Sequence, residues 1–450
     1  MQTCPKHHPH QAAVDPTRAE MPEVIEQRTG IAVIGGGPAG LAAAVEAASG
    51  PFPVTVLESQ PCCGQKLLLT GGGHCNFTHT GTPETFVDAF HGQGRFLYSA
   101  LNRYDNRHYI DFLAENGLAS RADTRNRYLP ASGSARDVLN VYLAVLNRQR
   151  AAVHRHSLVT TVRRLPNRSF ELTVLQTNPK AGRPNTSRLL AQAVIFAGGA
   201  PCFCRTGSDG ALLDLAAGLG LPTVPVTPAL IAIDLQDWPS DELAGITLTD
   251  CILSVRQTGR KKPLETERGE LLLTHRGISG PLALNLSRWL TDETFELQLN
   301  LVPDVPASVL AADLMAAAGC APKTPVRRLM KRYMPEALAV HLLRTAAADP
   351  SLPGARLNKP LAGRLAGLAT GTRLTPMPPQ DPGQGMTCRG GIALKALSPA
   401  TMMATAIPGL FAAGDMLDLD GRSGGFNLQA AYSTGRTAGA SAVQFLQNHL

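Results

Sequence analysis

Long hydrophobic runs, aromatic residues and a secretion signal are all missing or scarce in this chain of 450 residues. No run approaches the ~18 consecutive apolar residues that a membrane-spanning helix requires. The first 29 residues lack the apolar stretch of a signal peptide. We therefore expect a cytoplasmic protein without a membrane partner, which begins with a polar, disordered extension over residues 1–29. Aromatic residues make up only 5 % of the chain, so platforms for stacking nucleic-acid bases are few.

Cysteines are present, but they do not form the spaced tetrad of a zinc site. The nine cysteines are an odd number in a chain with no secretion signal, which favours reduced thiols. Cys62 and Cys63 are adjacent, and the pair Cys202 and Cys204 has no matching second pair. A structural zinc site needs four ligands in two such pairs. The sequence thus predicts no metal site.

Lysine is absent from the stretch between Arg95 and Arg164, which is nevertheless the most basic part of the chain. Twelve arginines stand there against five acidic residues, an excess of seven that equals the net charge of the whole chain. Such a surface attracts polyanions, and arginine suits the forked geometry of phosphate groups. It is equally consistent with a solvated helix surface, so a contact with RNA stays open here.

The first glycine cluster lies in IAVIGGGPAGLAAA, between a short apolar strand and an alanine-rich helix. Gly35, Gly37 and Gly40 match G-x-G-x-x-G, in which the glycines allow a tight turn, the approach of a pyrophosphate and close packing of helix and strand. The next strand, PVTVLE, ends in Glu58, which is placed to accept hydrogen bonds from a ribose. The order strand, turn, helix, strand and acid predicts a Rossmann-type dinucleotide site.

A late strand, GLFAAGD, indicates that the dinucleotide is FAD. In FAD enzymes of the glutathione-reductase type, a late strand ends in Gly-Asp, as Gly414 and Asp415 do here. The helix that follows would direct its N-terminus at the flavin, where negative charge accumulates on reduction. No second G-x-G-x-x-G unit offers a separate nicotinamide domain.

A second glycine cluster follows in LLLTGGGHCNFT, and three interpretations present themselves. It could hold a second nucleotide, bind a metal through His74 and Cys75, or contact the first ligand from another side. No helix, strand and acid follow it, and the adjacent His74 and Cys75 lack partners. We therefore expect Gly71, Gly72 and Gly73 to bring the backbone close to the same FAD.

The pattern of predicted strands and helices divides the chain into a nucleotide domain and an insert. Residues 30–221 and 385–450 are predicted to form the FAD-binding domain. Residues 222–303 read as short strands with polar turns, and residues 304–384 read as helices punctuated by proline. The expected fold is α/β, with a Rossmann-type domain split by a β-rich part and a helical part.

Four motifs resemble those of one bacterial family, and the resemblance covers nearly everything from residue 31 to residue 440. They are GQKLLLTGGGHCN, RYLPASGSARDVL, THRGISGP and FAAGDMLDLDGRSGGFNLQAAYSTGRTAG. Together they resemble the YhiN or HI0933-like family of NAD(P)/FAD-dependent flavoprotein oxidoreductases. His74 stands where the family usually has arginine, Asp415 where it usually has glutamate, and Cys388 and Arg389 lie in TCRGG where T-A-G-G is usual.

The resemblance implies one FAD in a glutathione-reductase-like domain whose insert is partly β-barrel-like and partly helical. NADH or NADPH would be the transient electron donor. Besides the glycines and acids already named, it implies these cofactor contacts: Pro38, Ala39, Gln65, Lys66, Leu67, Thr70, Asn76, Val162, Ala197, Gly198, Gly199, Gly424, Gly425, Phe426, Asn427 and Leu428.

The resemblance also implies reduction of a C=C bond conjugated to a carbonyl. A hydride reaches the β-carbon and a proton the α-carbon, so the site needs a group that polarises the carbonyl and a proton donor. The candidates are His275, which ends a strand of the insert, and Cys75 and His74 in the second glycine loop. The arginine excess favours uridine in large-subunit ribosomal RNA, which would become dihydrouridine. A steroid-like enone, an amine oxidase reaction and a mainly RNA-binding role are the alternatives.

Overall fold

The computed structural model describes residues 26–177, 185–260, 262–290, 294–379 and 382–449. The strands are β1 (Glu26–Ile34), β2 (Val54–Leu57), β3 (Thr78–His79), β4 (Ser120–Ala122), β5 (Arg127–Pro130), β6 (Ala152–His154), β7 (Ser157–Arg164), β8 (Phe170–Gln176), β9 (Asn185–Phe196), β10 (Thr223–Ala229), β11 (Ile233–Asp234), β12 (Thr247–Gln257), β13 (Glu265–Leu273), β14 (Gly277–Ser279), β15 (Phe295–Asn300), β16 (Thr372–Leu374), β17 (Thr387–Ile392) and β18 (Leu410–Ala412).

The helices alternate with these strands in the first half of the chain and dominate the later part of the insert. They are α1 (Pro38–Ala47), α2 (Gln65–Leu69), α3 (Pro83–Asp88), α4 (Tyr98–Arg103), α5 (Asn106–Glu115), α6 (Ala135–Arg148), α7 (Ala211–Gly218), α8 (Ser240–Leu243), α9 (Gly280–Leu286), α10 (Ala307–Cys320), α11 (Val326–Leu329), α12 (Glu336–Thr345), α13 (Lys359–Gly371) and α14 (Phe426–His449). No helix in these described ranges is long and apolar enough to cross a membrane.

The main sheet is a mixed sheet built around β9. Its order is β6-β2-β1-β9-β8-β7, and β18 also pairs with β9. The strands β6, β2, β1, β9 and β18 are parallel, whereas β7 and β8 join β9 as an antiparallel meander. The long β9 belongs to both the parallel and the antiparallel part of the sheet. Its residues Asn185–Ala191 pair with β8, and its residues Val194–Phe196 pair with β18. The expected α/β fold with a Rossmann-type domain is confirmed.

Helix α1 lies against α14 in unusually close contact. Ala42, Ala43 and Ala44 of α1 are fully buried. A Cβ atom on Gly435 of α14 would stand 2.3 Å from the Ala39 carbonyl oxygen, and one on Gly439 would stand 2.3 Å from the Ala43 oxygen. Small side chains on both helices therefore allow their backbones to touch, which fixes the start of α1 at the sheet.

The insert has a hydrophobic core of its own, formed by residues between Ile233 and Ala369. Its sheet has the order β11-β14-β13-β12-β15-β16. A bridge between Leu235 and Pro376 joins the two ends of this order, so the sheet closes on itself like a barrel. Helix α10 packs on α13, and α13 packs on β15. Strands β10 and β17, which lead into and out of the insert, pair with each other.

Two details differ from the sequence expectations. Strand β1 begins at Glu26, so the predicted extension over 1–29 is too long, and its residues 1–25 lie outside the described ranges. Within the β-rich part lies helix α9. The exact division of the insert at 303 and 304 stays a prediction.

Candidate functional site

A cavity of about 580 Å³ lies where the parallel strands β1, β2 and β9 end. Its wall includes Ile34 from β1, Leu57 from β2 and Ala197 after β9. The insert completes it with Pro281 and Leu284 of α9. Ligands of open α/β sheets bind outside the carboxyl ends of the strands, because the loops there converge and helix N-termini face outward. This cavity is the candidate cofactor and substrate site.

The conformation of the first glycine loop agrees with the three roles that its spacing predicts. Gly35 has a φ of 104°, a left-handed conformation that favours glycine. A Cβ on Gly40 would stand 1.9 Å from the Gly35 carbonyl oxygen, so this position requires glycine for packing. A Cβ on Gly37 would meet nothing within 4 Å, and Gly37 lines the cavity. The loop is thus open on the side where a pyrophosphate would approach.

Glu58 links this loop to the end of β2. Its carboxylate accepts hydrogen bonds from the backbone N–H of Gly36 at 2.7 Å and of Gln60 at 2.8 Å. Burial raises the pKa of Glu58, although these backbone hydrogen bonds oppose the shift. Glu58 lines the cavity, and each carboxylate oxygen can accept a further hydrogen bond. It is therefore suited to bind ribose hydroxyls.

The second glycine loop contributes to the wall of the same cavity. Gly71 and Gly72 have φ values of 57° and 66°, and both line the cavity together with Thr70 and Asn76. A Cβ on Gly72 would meet no protein atom within 4 Å. The interpretation that the two glycine loops contact one ligand from two sides is therefore supported by the geometry.

Lys66 and Asp415 form an ion pair in the wall between the two loops. The Lys66 Nζ atom donates to Asp415 Oδ2 at 2.5 Å and to the sulfur of Cys202 at 3.0 Å. Burial alone would lower the pKa of Lys66, but the charges of Asp415 and Cys202 outweigh it and raise that pKa above its usual value. Lys66 therefore stays protonated, and each side chain of the pair is about one-fifth exposed.

Most of the cofactor residues expected from the sequence come together on this wall. They are Gly35, Gly37, Pro38, Ala39, Glu58, Gln65, Lys66, Thr70, Gly71, Gly72, Asn76, Ala197, Gly198, Gly199, Asp415, Gly424, Gly425, Asn427 and Leu428. The last four bring the N-terminal end of α14 to the cavity. The Asn427 side chain binds Gly421 and Arg422 of the preceding loop, so it shapes that loop rather than reaching into the cavity.

Six expected cofactor residues lie behind the wall. Gly40, Leu67, Gly73 and Gly414 support the loops, and Leu67 is fully buried. Phe426 stacks on the ring of His79 at a centroid distance of 4.7 Å. Val162 lies on β7 but away from the cavity, because the start of that strand, at Ser157, Leu158 and Val159, forms the wall instead.

The three catalytic candidates from the sequence are not on the cavity wall. His275 is exposed in the turn before β14. His74 is also exposed, and its Nδ1 atom lies 2.7 Å from the Gly133 carbonyl oxygen. Cys75 is completely buried beneath the loop, and this burial raises the pKa of its thiol to about 12. Their catalytic roles stay predictions, without support from the position of the side chains.

His79 is the imidazole that does line the cavity, and the sequence reasoning missed it. The backbone N–H of Gly81 donates to its Nδ1 atom at 3.2 Å, which leaves the proton of the neutral ring on Nε2. Burial lowers the pKa of His79, and the nearby Asp123 only partly offsets this. The sequence held one clue to this role, because His79 stands only four residues after Cys75 of the second glycine loop.

The outer part of the wall carries apolar side chains and two arginines that were also missed. Leu69, Leu230 and Met386 join Pro281 and Leu284 of α9 there. Arg125 comes from the turn between β4 and β5, and Arg127 is the first residue of β5. Arg125 pairs with Glu270 of the insert at 2.6 Å, so it connects the two parts of the molecule at the cavity. In the described ranges, no group of three or more His, Cys, Asp or Glu side chains could hold a metal ion.

Together these features define a class of protein. The open loop at Gly37, the carboxylate of Glu58, and Asp415 with the N-terminus of α14 at the far end line one cavity, and together they suit an extended FAD. The fold and the site are those of a Rossmann-type FAD-dependent oxidoreductase. The chain belongs to the HI0933-like family, because the model of the HI0933-like protein Rossmann domain matches residues 29–441.

Two relatives in this family carry different names. The chain is 28 % identical over 423 residues to a 3-dehydro-bile acid delta(4,6)-reductase of Clostridium scindens, covering 92 % of this chain and 99 % of the relative. It is 26 % identical over 406 residues to a ribosomal RNA dihydrouridine synthase of Haemophilus influenzae, covering 89 % of this chain and 95 % of the relative.

Solved structures share the fold at low sequence identity. The 3-ketosteroid-delta4-(5alpha)-dehydrogenase of Rhodococcus jostii superposes with a TM-score of 0.52 at 17 % identity, over 94 % of this chain and 99 % of that one. A flavocytochrome c3 fumarate reductase superposes with a TM-score of 0.51 at 14 % identity, over 93 % of this chain and 78 % of that one. These similarities concern the fold.

Proposed function

We propose that this protein uses FAD and NAD(P)H to reduce a C=C bond conjugated to a carbonyl in a small molecule with an apolar body. The apolar outer wall of the cavity carries this proposal. Leu69 and Met386 are 52 % and 45 % exposed, which is unusual for large hydrophobic side chains, and both line the cavity. Exposed apolar side chains at a cavity mark a site for an apolar ligand.

The two sides of the apolar wall come from different parts of the fold. Leu69 ends α2 of the FAD domain, whereas Pro281 and Leu284 belong to α9 of the insert, and Met386 precedes β17. A flat apolar molecule between them would be desolvated on both faces. This desolvation stabilises the complex by ~25 cal/mol per Å² of apolar surface removed from water. It also strengthens any hydrogen bond to the carbonyl oxygen.

His79 is our candidate for the group that polarises the carbonyl. A bound flavin supplies the hydride. The neutral His79 ring presents its Nε2–H as a donor, because its Nδ1 accepts from Gly81. Such a donor stabilises the negative charge that develops on the carbonyl oxygen when the β-carbon is reduced. The stack of His79 on Phe426, with planes 24° apart, holds the ring in place.

The name of the Clostridium scindens relative agrees with this proposal, because it describes the reduction of a bile acid. A bile acid has a rigid apolar body. The similarity of 28 % extends over 99 % of that relative, so the whole architecture is shared. It supports the reaction type rather than a particular compound.

A second candidate is the reduction of uridine in large-subunit ribosomal RNA. Arginines of the basic stretch are mostly exposed, and two of them, Arg125 and Arg127, line the cavity. The relative from Haemophilus influenzae carries the name of that activity. However, Arg125 pairs with Glu270, and Arg127 pairs with Asp123 at 2.6 Å, so part of this charge is already neutralised.

The test is to offer the purified holoenzyme a conjugated steroid enone with NADH or NADPH under anaerobic conditions. We expect oxidation of the nicotinamide and a product two mass units heavier than the substrate. A Leu284→Asp variant should raise KM for this substrate at least ~tenfold, because it places a charge in the apolar wall. The matched control Val309→Asp changes an exposed hydrophobic side chain outside the cavity and should leave KM unchanged.

The ribosomal RNA of a deletion strain distinguishes the two candidates. Loss of a dihydrouridine in the large-subunit RNA, with no turnover of any enone, would favour the second candidate and reject the first. Unchanged RNA together with enone reduction would do the reverse. Peroxide formed from an amine without nicotinamide would reject both and favour an amine oxidase.

A further inference from the structure

Behind the cavity wall, two cysteines join the ion pair between Lys66 and Asp415. The sulfur of Cys202 accepts a hydrogen bond from Lys66 Nζ at 3.0 Å. The thiol of Cys388 donates to the Pro201 carbonyl oxygen at 3.5 Å and lies within hydrogen-bonding reach of the Cys202 sulfur. Neither the cofactor site nor the proposed reduction uses these two sulfurs.

The two cysteines are brought together from distant parts of the chain. Cys202 follows β9, after the glycines at 198 and 199 that line the cavity. Cys388 lies on β17, where the chain returns from the insert, and its neighbour Thr387 lines the cavity. Cys202 is fully buried and Cys388 is 1 % exposed.

The surroundings make the two sulfurs chemically unequal. The contact with Cys388 and the charge of Lys66 lower the pKa of Cys202, although its burial opposes this. The same contact with Cys202, together with burial, raises the pKa of Cys388. A thiol beside a lysine, with a second thiol in contact, is the arrangement in which one sulfur attacks and the other resolves in disulfide chemistry.

We propose that Cys202 and Cys388 form a redox-active dithiol pair that exchanges one electron pair with the flavin site. Oxidation breaks the two S–H bonds and forms one S–S bond. Two electrons and two protons leave the pair, and the oxidised flavin is the acceptor that takes them up. The reverse step returns two electrons and two protons to the sulfurs, so the balance closes in both directions.

Burial explains why the flavin is the partner in this exchange. The sulfurs have almost no contact with solvent, whereas Lys66, which touches Cys202, and Thr387, which adjoins Cys388, both line the cavity. Oxidation would also change the ion pair, because a disulfide sulfur is a weaker acceptor for the Lys66 ammonium than the sulfur of a free cysteine. The redox state of the pair would thereby alter the charge that Lys66 and Asp415 present to the cofactor.

Counting electrons tests the proposal independently of catalytic activity. The purified holoenzyme is treated with a thiol oxidant, freed of it and titrated anaerobically with dithionite while the flavin absorbance is followed. We expect two electron pairs per FAD for the unaltered chain and one for Cys388→Ala. Digestion without reductant should yield two peptides joined by a disulfide between Cys202 and Cys388. Reduction should split them into separate peptides whose summed mass is two units greater.

The control is Cys251→Ala, which removes another fully buried strand cysteine, one that donates to the Gly269 carbonyl oxygen in the insert. It should still take up two electron pairs. If Cys388→Ala fails to fold, Cys388→Ser keeps the size of the side chain and should give the same single pair. One electron pair in the unaltered chain, or two in Cys388→Ala, would overturn the proposal.

Discussion

The guanidinium of Arg288 donates two hydrogen bonds to the carboxylate of Asp420, from Nε to Oδ2 at 2.6 Å and from Nη2 to Oδ1 at 3.0 Å. Arg288 follows α9 of the insert, and Asp420 lies in the loop that precedes α14 of the FAD domain. The two side chains are only 6 % and 2 % exposed. This buried ion pair therefore connects the insert to the FAD domain close to Ser423 and Gly424 on the cavity wall.

We expect Arg288→Met to destabilise the protein by ~3–5 kcal/mol, because it leaves the carboxylate of Asp420 buried and unpaired. Chemical denaturation of the purified protein measures this change. The control is Arg268→Met, whose two ion pairs with Asp250 and Asp304 lie on the surface. Its effect should be much smaller, because solvent screens exposed pairs. Equal losses for the two variants would contradict the structural role of Arg288.

The two glycines of the first loop should respond differently to alanine. In Gly37→Ala the new Cβ meets no protein atom and points into open space at the cavity, so the fold should lose at most about 1 kcal/mol. The affinity for FAD should fall at least ~tenfold, because the methyl group obstructs the pyrophosphate. Flavin content after purification and fluorescence titration of the apoprotein measure this effect.

Gly40→Ala should instead damage the fold itself. Its Cβ would stand 1.9 Å from the Gly35 oxygen, a backbone atom that cannot move aside cheaply. We expect a loss of ~1–3 kcal/mol or more in the free energy of unfolding of the apoprotein. If Gly40→Ala were as stable as Gly37→Ala, the close contact between α1 and β1 would be refuted.

Replacing three histidines separates the sequence candidates from the structural one. His79→Phe should lower kcat about 10²-fold while FAD stays bound, because it keeps a ring against Phe426 but removes the donor that we propose for the carbonyl. His275→Phe and His74→Phe change exposed side chains off the wall and should stay within about threefold of the unaltered chain. Steady-state kinetics with the proposed enone measure these effects. A large loss only in His275→Phe would restore the sequence hypothesis.

His91 should make the protein less stable in acid. Burial and the charges of Arg288, Arg422 and Arg389 lower the pKa of His91 to about 3. The unfolded chain takes up this proton near its usual pKa of ~6.5, whereas the folded chain does not. Stability contributed by the neutral ring is therefore present above pH ~6.5 and is lost as the pH falls towards 3.

The variant His91→Asn tests this pH dependence. Asparagine tolerates the left-handed backbone at this position, where φ is 50°. Denaturation midpoints between pH 7 and pH 4 should fall less steeply in His91→Asn than in the unaltered chain. The exposed His449→Asn serves as the control and should not change the slope. Parallel slopes for all three proteins would contradict the assignment.

The glycine loops could be predicted from local patterns in the sequence. Gly35, Gly37 and Gly40 stand at a fixed local spacing that is visible without the fold. The same holds for Asp415 at the end of β18 and for Gly71 and Gly72, whose backbone conformation favours glycine. Local patterns of this kind determine backbone geometry, and the α/β fold class follows from their order along the chain.

What only the tertiary structure decided is which side chains meet at the cavity. His79 faces it while His275 and His74 do not, and Val159 lines it while Val162 of the same strand does not. Cys202 and Cys388 meet although 186 positions, counted from their residue numbers, separate them in the chain. No local pattern encodes these outcomes, because they depend on how the insert and the FAD domain pack against each other. The sequence thus determined the turns that hold a dinucleotide, and the packing of distant segments decided the side chains around it.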